Sequence, residues 1–264
     1  MKPSLATRSP GEISDRDYVS SLARGLEVIC AFTRAKPRMT LSEIARSTGM
    51  TRATVRRFLL TLVREGYAET DGKYFSLRPK VLELGYSALS SMSFLDVAQP
   101  ILTRLAEALR ESCFLAVLSG HDLVYVARAS ADRLVNVGIS VGSRAPAYGV
   151  STGRVLLAAL PEDELHAYLD QVTLAKLTPN TVTSKVKLRS LIEDARRQDY
   201  CIIDQEMEEG LAAISVPVRD GQGAVIAALN VCCPTTRITP ADMSGRILTE
   251  LRSASQMITA ALQH

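Results

Sequence analysis

Between Val19 and Lys36 the chain places Leu22, Leu26, Ile29 and Phe32 at the three-and-four spacing of one helical face, so a first helix is expected there. The following stretch, MTLSEIARSTGMTRATVRRFLLTLVREGY, carries the same period with one interruption. Thr40 and Glu43 form the T-x-x-E pattern of a capping box, in which each side chain accepts from the other's backbone N–H. Gly49 stops that second helix and Thr51 caps a third, on which Val55, Phe58, Leu59, Leu62 and Val63 share one face. Two helices joined by a short turn containing Gly make a helix-turn-helix. Beyond Gly66 the period falls to two. YAET and KYFSL flank Asp71-Gly72, the dipeptide that favours a tight hairpin turn. Three helices and a hairpin describe a mainly α winged helix-turn-helix.

Pro79 then opens a helical stretch, VLELGYSALSSM, read as a connector. After it come a long amphipathic helix containing Pro100, a hairpin turning at residues 120–122, and a strand candidate over 134–142. STGRVLLAAL and LPEDELHAYLDQV read as two further helices, and another covers SKVKLRSLIEDARRQ. CIID, LAAISVPVRD and GAVIAALNVCC read as strands, the last two joined by a turn at 220–223, before a C-terminal helix over 240–262. Helices mixed with antiparallel hairpins indicate an α+β domain with an antiparallel sheet. The expected divisions are a disordered polar leader at 1–17, a winged helix at 18–78, a linker helix at 79–92 and a larger domain at 93–264.

A length of 264 residues with 47% hydrophobic and 22% charged content suits two globular domains. The net charge of +3 conceals a segregation. Residues 1–80 hold 15 Lys/Arg against 8 Asp/Glu, a net +7, and the remainder 16 against 20, a net −4. A basic first third suits a polyanionic partner. With no Trp and 5% aromatics, the composition offers no stacking platform for single-stranded nucleic acid. Cys30, Cys113, Cys201, Cys232 and Cys233 include no CxxC, and His121, His166 and His264 supply no metal-ligand spacing. No signal peptide or membrane-spanning run is present, so a cytoplasmic protein that uses no cofactor or metal is expected.

On the third helix the apolar face leaves Ala53, Arg57 and Arg64 opposite, flanked by Thr54, Arg56 and Thr61. Arginine can grip guanine O6 and N7 through two hydrogen bonds, and Ala53 or a Thr methyl can meet thymine. Arg52, in the first turn, suits phosphate contact, as do Ser42 and Thr51 at helix starts, and Lys73 in the wing suits backbone contact. The competing reading is a solvated basic helix face. The order of capping box, turn glycine, arginine-bearing helix and hairpin favours double-stranded DNA.

In the second domain Ser151, Thr152 and Gly153 open a helix, where unpaired N–H groups and the dipole favour an anion such as a carboxylate; Ser151 could equally be a simple cap. Asp204, Glu206, Glu208 and Glu209 crowd between two strands. Paired carboxylates can do acid–base work, but no nucleophile or positioned His accompanies them. Asp204, at a strand end, is the better candidate for a pocket contact, and an enzyme acting on a small acid is the disfavoured alternative.

SLARGLEVICAF with the helix-turn-helix stretch, SVGSRAPAYGVSTGRVLLA, and DYCIIDQEMEEGLAAISVPVRDGQGAVIAALNV together resemble the isocitrate lyase regulator (IclR) family of bacterial transcription regulators. Within it, ESCFLAVLSGHDLVYVARAS, Tyr148-Gly149 and DQEMEEGL are most similar to regulators of aromatic-acid catabolism through the β-ketoadipate pathway. The resemblance implies a GAF-like effector-binding domain, a homodimer or dimer of dimers, and a palindrome-like operator. It also implies a small carboxylate effector such as protocatechuate, 4-hydroxybenzoate or β-ketoadipate. Carried onto this chain, it places backbone anion contacts near Ser151, Thr152 and Gly153, an acidic pocket residue at Asp204, and a wall at Leu211 and Ala213. Tyr148 and Arg154 stand where the family more usually has His and Lys, and Ala213 where some relatives carry a thiol. Tyr148 is read as a mark of an aromatic ligand.

Overall fold

The computed structural model describes residues 17–33, 35–90, 92, 94–131 and 138–262. The leader expected at 1–17 therefore lies, but for Asp17, outside the described residues. Two compact units, Met1–Ser90 and Ser91–His264, divide the chain.

In the first unit α1 (Ser20–Cys30) is followed by β1 (Arg38–Thr40), α2 (Leu41–Thr48), α3 (Arg52–Arg64), β2 (Ala68–Thr70) and β3 (Tyr74–Leu77). A short 3-10 turn, Pro79–Val81, leads into α4 (Leu82–Ser90). The first helix ends six residues before the expected Lys36. Thr33 and Lys36 bond across a turn instead, and Pro37 disfavours helical geometry at the residue before it. The strand β1 was not expected. It pairs antiparallel with β3, so the wing is a three-stranded sheet in the order β1-β3-β2.

The expected capping box forms: Thr40 Oγ1 accepts from Glu43 N, and Glu43 Oε2 accepts from Thr40 N at 2.7 Å. Those bonds hold the Glu43 carboxyl below its ordinary pKa. Gly49 takes a left-handed φ of 67°, which a side chain would resist, and this frees the chain to turn into α3. Val28, Met39, Ile44, Val55 and Leu59 meet in the core, each at most 1% exposed.

The second unit is a six-stranded antiparallel sheet in the order β6-β5-β4-β9-β8-β7. Its strands are β4 (Ser112–Ser119), β5 (Asp122–Ala129), β6 (Arg144–Pro146), β7 (Cys201–Asp204), β8 (Leu211–Arg219) and β9 (Val225–Pro234). Strand alternation gives the sheet two cores. Leu115, Ile214, Val216, Leu229 and Val231 pack against α5 (Phe94–Leu109) and α10 (Leu248–Ala261). On the other face Phe114, Tyr125, Ala213, Ala228 and Cys232 pack against α6 (Ser151–Ala158), α7 (Glu162–Gln171) and α8 (Lys185–Gln198).

Two expectations change here. Of the strand proposed at 134–142, residues 134–137 lie outside the described residues. Residues 138–140 are irregular, and the edge strand is β6. The C-terminal helix is not continuous either. A single turn, α9 (Pro240–Asp242), is separated from α10 by a distorted turn in which Gly245 leaves helical geometry at φ −95°, ψ −113°. Among the described residues no helix is long and apolar enough to cross a membrane.

Candidate functional site

Two surfaces carry chemistry. In the first unit Thr51 caps α3 by accepting from Thr54 N at 3.2 Å, and the two hydroxyls lie 2.9 Å apart. Burying Val55 and Leu59 turns Arg52, Ala53, Arg56 and Arg57 outward, and all four are exposed. Residues 52, 56 and 60 form one stripe along α3 that faces the wing across a groove of about 390 Å³. Ser42 at the start of α2, Arg52, Arg56 and Lys73 line this groove, while Arg57 projects from the neighbouring stripe.

The wing tip is built to hold its shape. Asp71 Oδ1 accepts from the backbone N–H groups of Lys73 (2.9 Å) and Tyr74 (2.7 Å), and Oδ2 takes Arg38 at 2.6 Å. The two backbone donors, ahead of Arg38, keep the Asp71 carboxyl below its usual pKa. Lys73 Nζ rests 5.2 Å from the centre of the Tyr74 ring. This assembly presents cations from two elements on one concave surface, with few acids between them. It matches a phosphate backbone entering between helix and wing.

In the second unit the start of α6 lies over the middle of the sheet. The N-cap is Val150, whose side chain makes no capping bond, so the simple-cap alternative for Ser151 is corrected. Ser151 Oγ instead meets Ser215 Oγ at 2.7 Å, and Thr152 Oγ1 meets the same hydroxyl at 3.0 Å. Gly153 is needed for packing: a Cβ there would be driven into the backbone of Ala147. Asn230, 3% exposed, donates from Nδ2 to Ser215 Oγ at 3.1 Å and to Ser151 Oγ at 3.3 Å. Its Oδ1 is buried and has no hydrogen-bond partner among the described residues. A buried acceptor without a donor is uncommon and asks for an explanation. Tyr125, edge-on to Phe114 at 5.5 Å, borders this cluster; burial pushes its hydroxyl pKa up, against a smaller opposing pull from Thr152. Burial likewise lifts the Cys232 thiol to about 12.

Tyr148 is buried and donates from its hydroxyl to Ala175 O at 2.9 Å. Leu211 and Ala213 lie on the α6 side of β8. Asp204 does not join them. It is exposed, stands in register with Ala212 of the opposite core, and accepts from Gln205 Nε2 at 3.2 Å. The buried acid is Glu206, two residues on, which takes Arg154 in a two-pronged pair at 2.8 and 2.5 Å. Arg154 and Glu206 are 1% and 8% exposed, and Arg154 Nε also donates to Tyr148 O at 3.1 Å. Glu206 is thus occupied by its partner, which removes it from the acid–base pairing considered with Asp204. Thr178 and Thr181 hydroxyls donate to the Gln205 and Glu206 carbonyls at 2.7 Å each.

Ser215, Asn230, Tyr125 and the Arg154–Glu206 pair were not singled out from sequence. The one available signal was the polar residue inside each of two apolar strand runs, Ser215 in LAAISVPV and Asn230 in VIAALNVCC.

Comparison with known proteins bears on both surfaces. Residues 21–72 match the IclR helix-turn-helix domain, and residues 86–260 match the family described as bacterial transcriptional regulator IclR C-terminal. The Pca regulon regulatory protein of Pseudomonas putida is 43% identical over 254 residues, spanning 96% of this chain and 87% of that one. The p-hydroxybenzoate hydroxylase transcriptional activator of Acinetobacter baylyi is 36% identical over 252 residues, spanning 94% of this chain and 93% of that protein. Among solved structures, an IclR homolog complexed with 4-hydroxybenzoate from Microbacterium hydrocarbonoxydans superposes with a TM-score of 0.79. It is 27% identical and the match covers 92% of this chain and 99% of that one.

Proposed function

The chain belongs to the IclR family of bacterial transcriptional regulators, and from that premise we propose that a small aromatic carboxylate, bound on the α6 face of the sheet, sets its occupancy of an operator. The groove between α3 and the wing supports the DNA-reading half, because Arg52, Arg56 and Lys73 converge there from two elements. The observation that carries the effector half is the buried hydroxyl cluster beneath α6, with the acceptor Asn230 Oδ1 left open among the described residues. A ligand offering a hydroxyl would complete it. Relatives named for the Pca regulon and for p-hydroxybenzoate hydroxylase, and a fold relative complexed with 4-hydroxybenzoate, favour a hydroxylated aromatic acid.

The working unit in this reading is a homodimer, or a dimer of dimers. Leu22 and Leu26 on α1, and Leu82 and Tyr86 on α4, expose apolar stripes at i, i+4 spacing that a second copy would cover. Domain limits at 18–78, 79–92 and 93–264, and a cytoplasmic setting, belong to the same proposal.

Footprinting on the region upstream of the gene, with and without 4-hydroxybenzoate or protocatechuate, tests it. The expected result is a protected palindrome whose occupancy changes with one of the acids. Protection that ignores both acids at millimolar concentration would refute the aromatic effector, and no protection at all would refute the operator reading.

A further inference from the structure

Among the described residues, the arginines with partly or wholly buried positions include Arg128, Arg154, Arg189 and Arg219. Three are matched by carboxylates, namely Glu206 for Arg154, Glu193 and Glu162 for Arg189, and Asp199 for Arg219. Arg128 has no acidic partner among the described residues, although a half-buried guanidinium without a counter-charge is costly. It is nevertheless held in place. Nε donates to Ser130 Oγ at 3.0 Å, one terminal nitrogen donates to Ile139 O at 2.7 Å, and the guanidinium carbon sits 5.8 Å from the centre of the Phe114 ring. The second terminal nitrogen makes no described bond.

Strand register shows where this cation points. Arg128 of β5 lies opposite Phe114 of β4, Phe114 lies opposite Asn230 of β9, and Asn230 lies opposite Ser215 of β8. Residues directly opposite share a face, so one row across the sheet reads guanidinium, aromatic ring, orphan carbonyl, hydroxyl. Two interstrand spacings separate Arg128 from Asn230, about 10 Å between their backbones. Tyr125 stands edge-on to the same ring.

We propose that Arg128 is the carboxylate anchor of the effector site and Asn230 Oδ1 its hydroxyl acceptor, so that a hydroxylated aromatic acid lies along this row. The assignment rests on the functional reading above and sharpens it. A guanidinium fork takes a carboxylate through two parallel N–H···O bonds, and Asn230 Oδ1 can only accept, which calls for a ligand O–H. The start of α6 then supplies polar lining through its serine and threonine hydroxyls, which Ser215 already engages.

The test is calorimetry on full-length protein with 4-hydroxybenzoate and its neutral analogue 4-hydroxybenzamide. Losing a charge-assisted pair should weaken acid binding by R128Q about tenfold or more, with the preference for acid over amide falling by about the same factor. R128K, which keeps charge but not the fork, should fall between. Far-UV circular dichroism and operator binding establish that each variant is folded, and R128K decides the matter should R128Q not fold. Unchanged acid binding in R128Q, or equal losses for acid and amide, overturns the anchor while leaving the functional reading intact. Wild-type protein that binds neither ligand overturns both.

Discussion

Replacing Glu206 by Ala should be among the most damaging single changes in the second unit. The substitution leaves the Arg154 guanidinium, 1% exposed, with Tyr148 O as its remaining described acceptor. Removing one partner of a buried ion pair typically costs about 3–5 kcal/mol, because the charge left behind has neither water nor a counter-ion. Arg154→Met should cost less, about 2–3 kcal/mol, since Glu206 is 8% exposed and can be reached by water. The double variant Arg154→Met/Glu206→Leu strands no charge. Its main loss is the bond to the Tyr148 carbonyl, about 1–2 kcal/mol, so it should be more stable than Glu206→Ala alone. Urea unfolding followed by far-UV circular dichroism suits a chain without Trp, and the Glu206→Ala midpoint should drop by about 1–2 M. A loss under about 1 kcal/mol for Glu206→Ala, or a double variant as unstable as the sum of its singles, would show that the pair is not buried as described.

Three further outcomes are expected. Gly153→Ala forces a methyl group into the Ala147 backbone and should cost about 3 kcal/mol or more, lowering the melting temperature of the second unit while operator contacts in the first survive; an unchanged melting temperature would contradict the close approach. In gel shifts, Arg57→Ala should weaken operator binding by about 1–3 kcal/mol, whereas Lys73→Ala should weaken all sequences alike and lower the salt slope by about 1; equal operator and nonspecific losses for Arg57→Ala would end its base-reading role. Iodoacetamide at pH 8 should label native protein once, at exposed Cys30, because burial raises the other four thiols, Cys201 to about 11 and Cys232 and Cys233 to about 12. The thiolate is the nucleophile, and pH 8 lies far below the raised pKa of the buried thiols, so two or more labels on folded protein would refute this.

The first unit was legible because its signals are local. Thr40 and Glu43 are three residues apart, and Asp71 and Gly72 are adjacent. Even there, β1 was missed: three residues carry no period, and what makes them a strand is β3, more than thirty residues on. The α6 face of the second sheet was legible only in its helix start. Asn230, Ser215, Phe114 and Arg128 become neighbours through the register of four strands, which no spacing along the chain encodes. Asp204 is the sequence's candidate because it sits at a strand end. Register put Asp204 beside Ala212, and a residue 52 positions away, Arg154, claimed Glu206.

The two cores of the second sheet have a consequence for how such a sensor can change its diet. Along β8, Leu211, Ala213 and Ser215 face α6, while Ala212, Ile214 and Val216 pack against α5 and α10. If the effector lies on the α6 face, as proposed above, every second codon of the strand can be rewritten for a new ligand while its neighbours keep the sheet packed on its opposite layer. Selection on one face is insulated from folding on the other, which makes this strand a natural place to retune specificity one residue at a time.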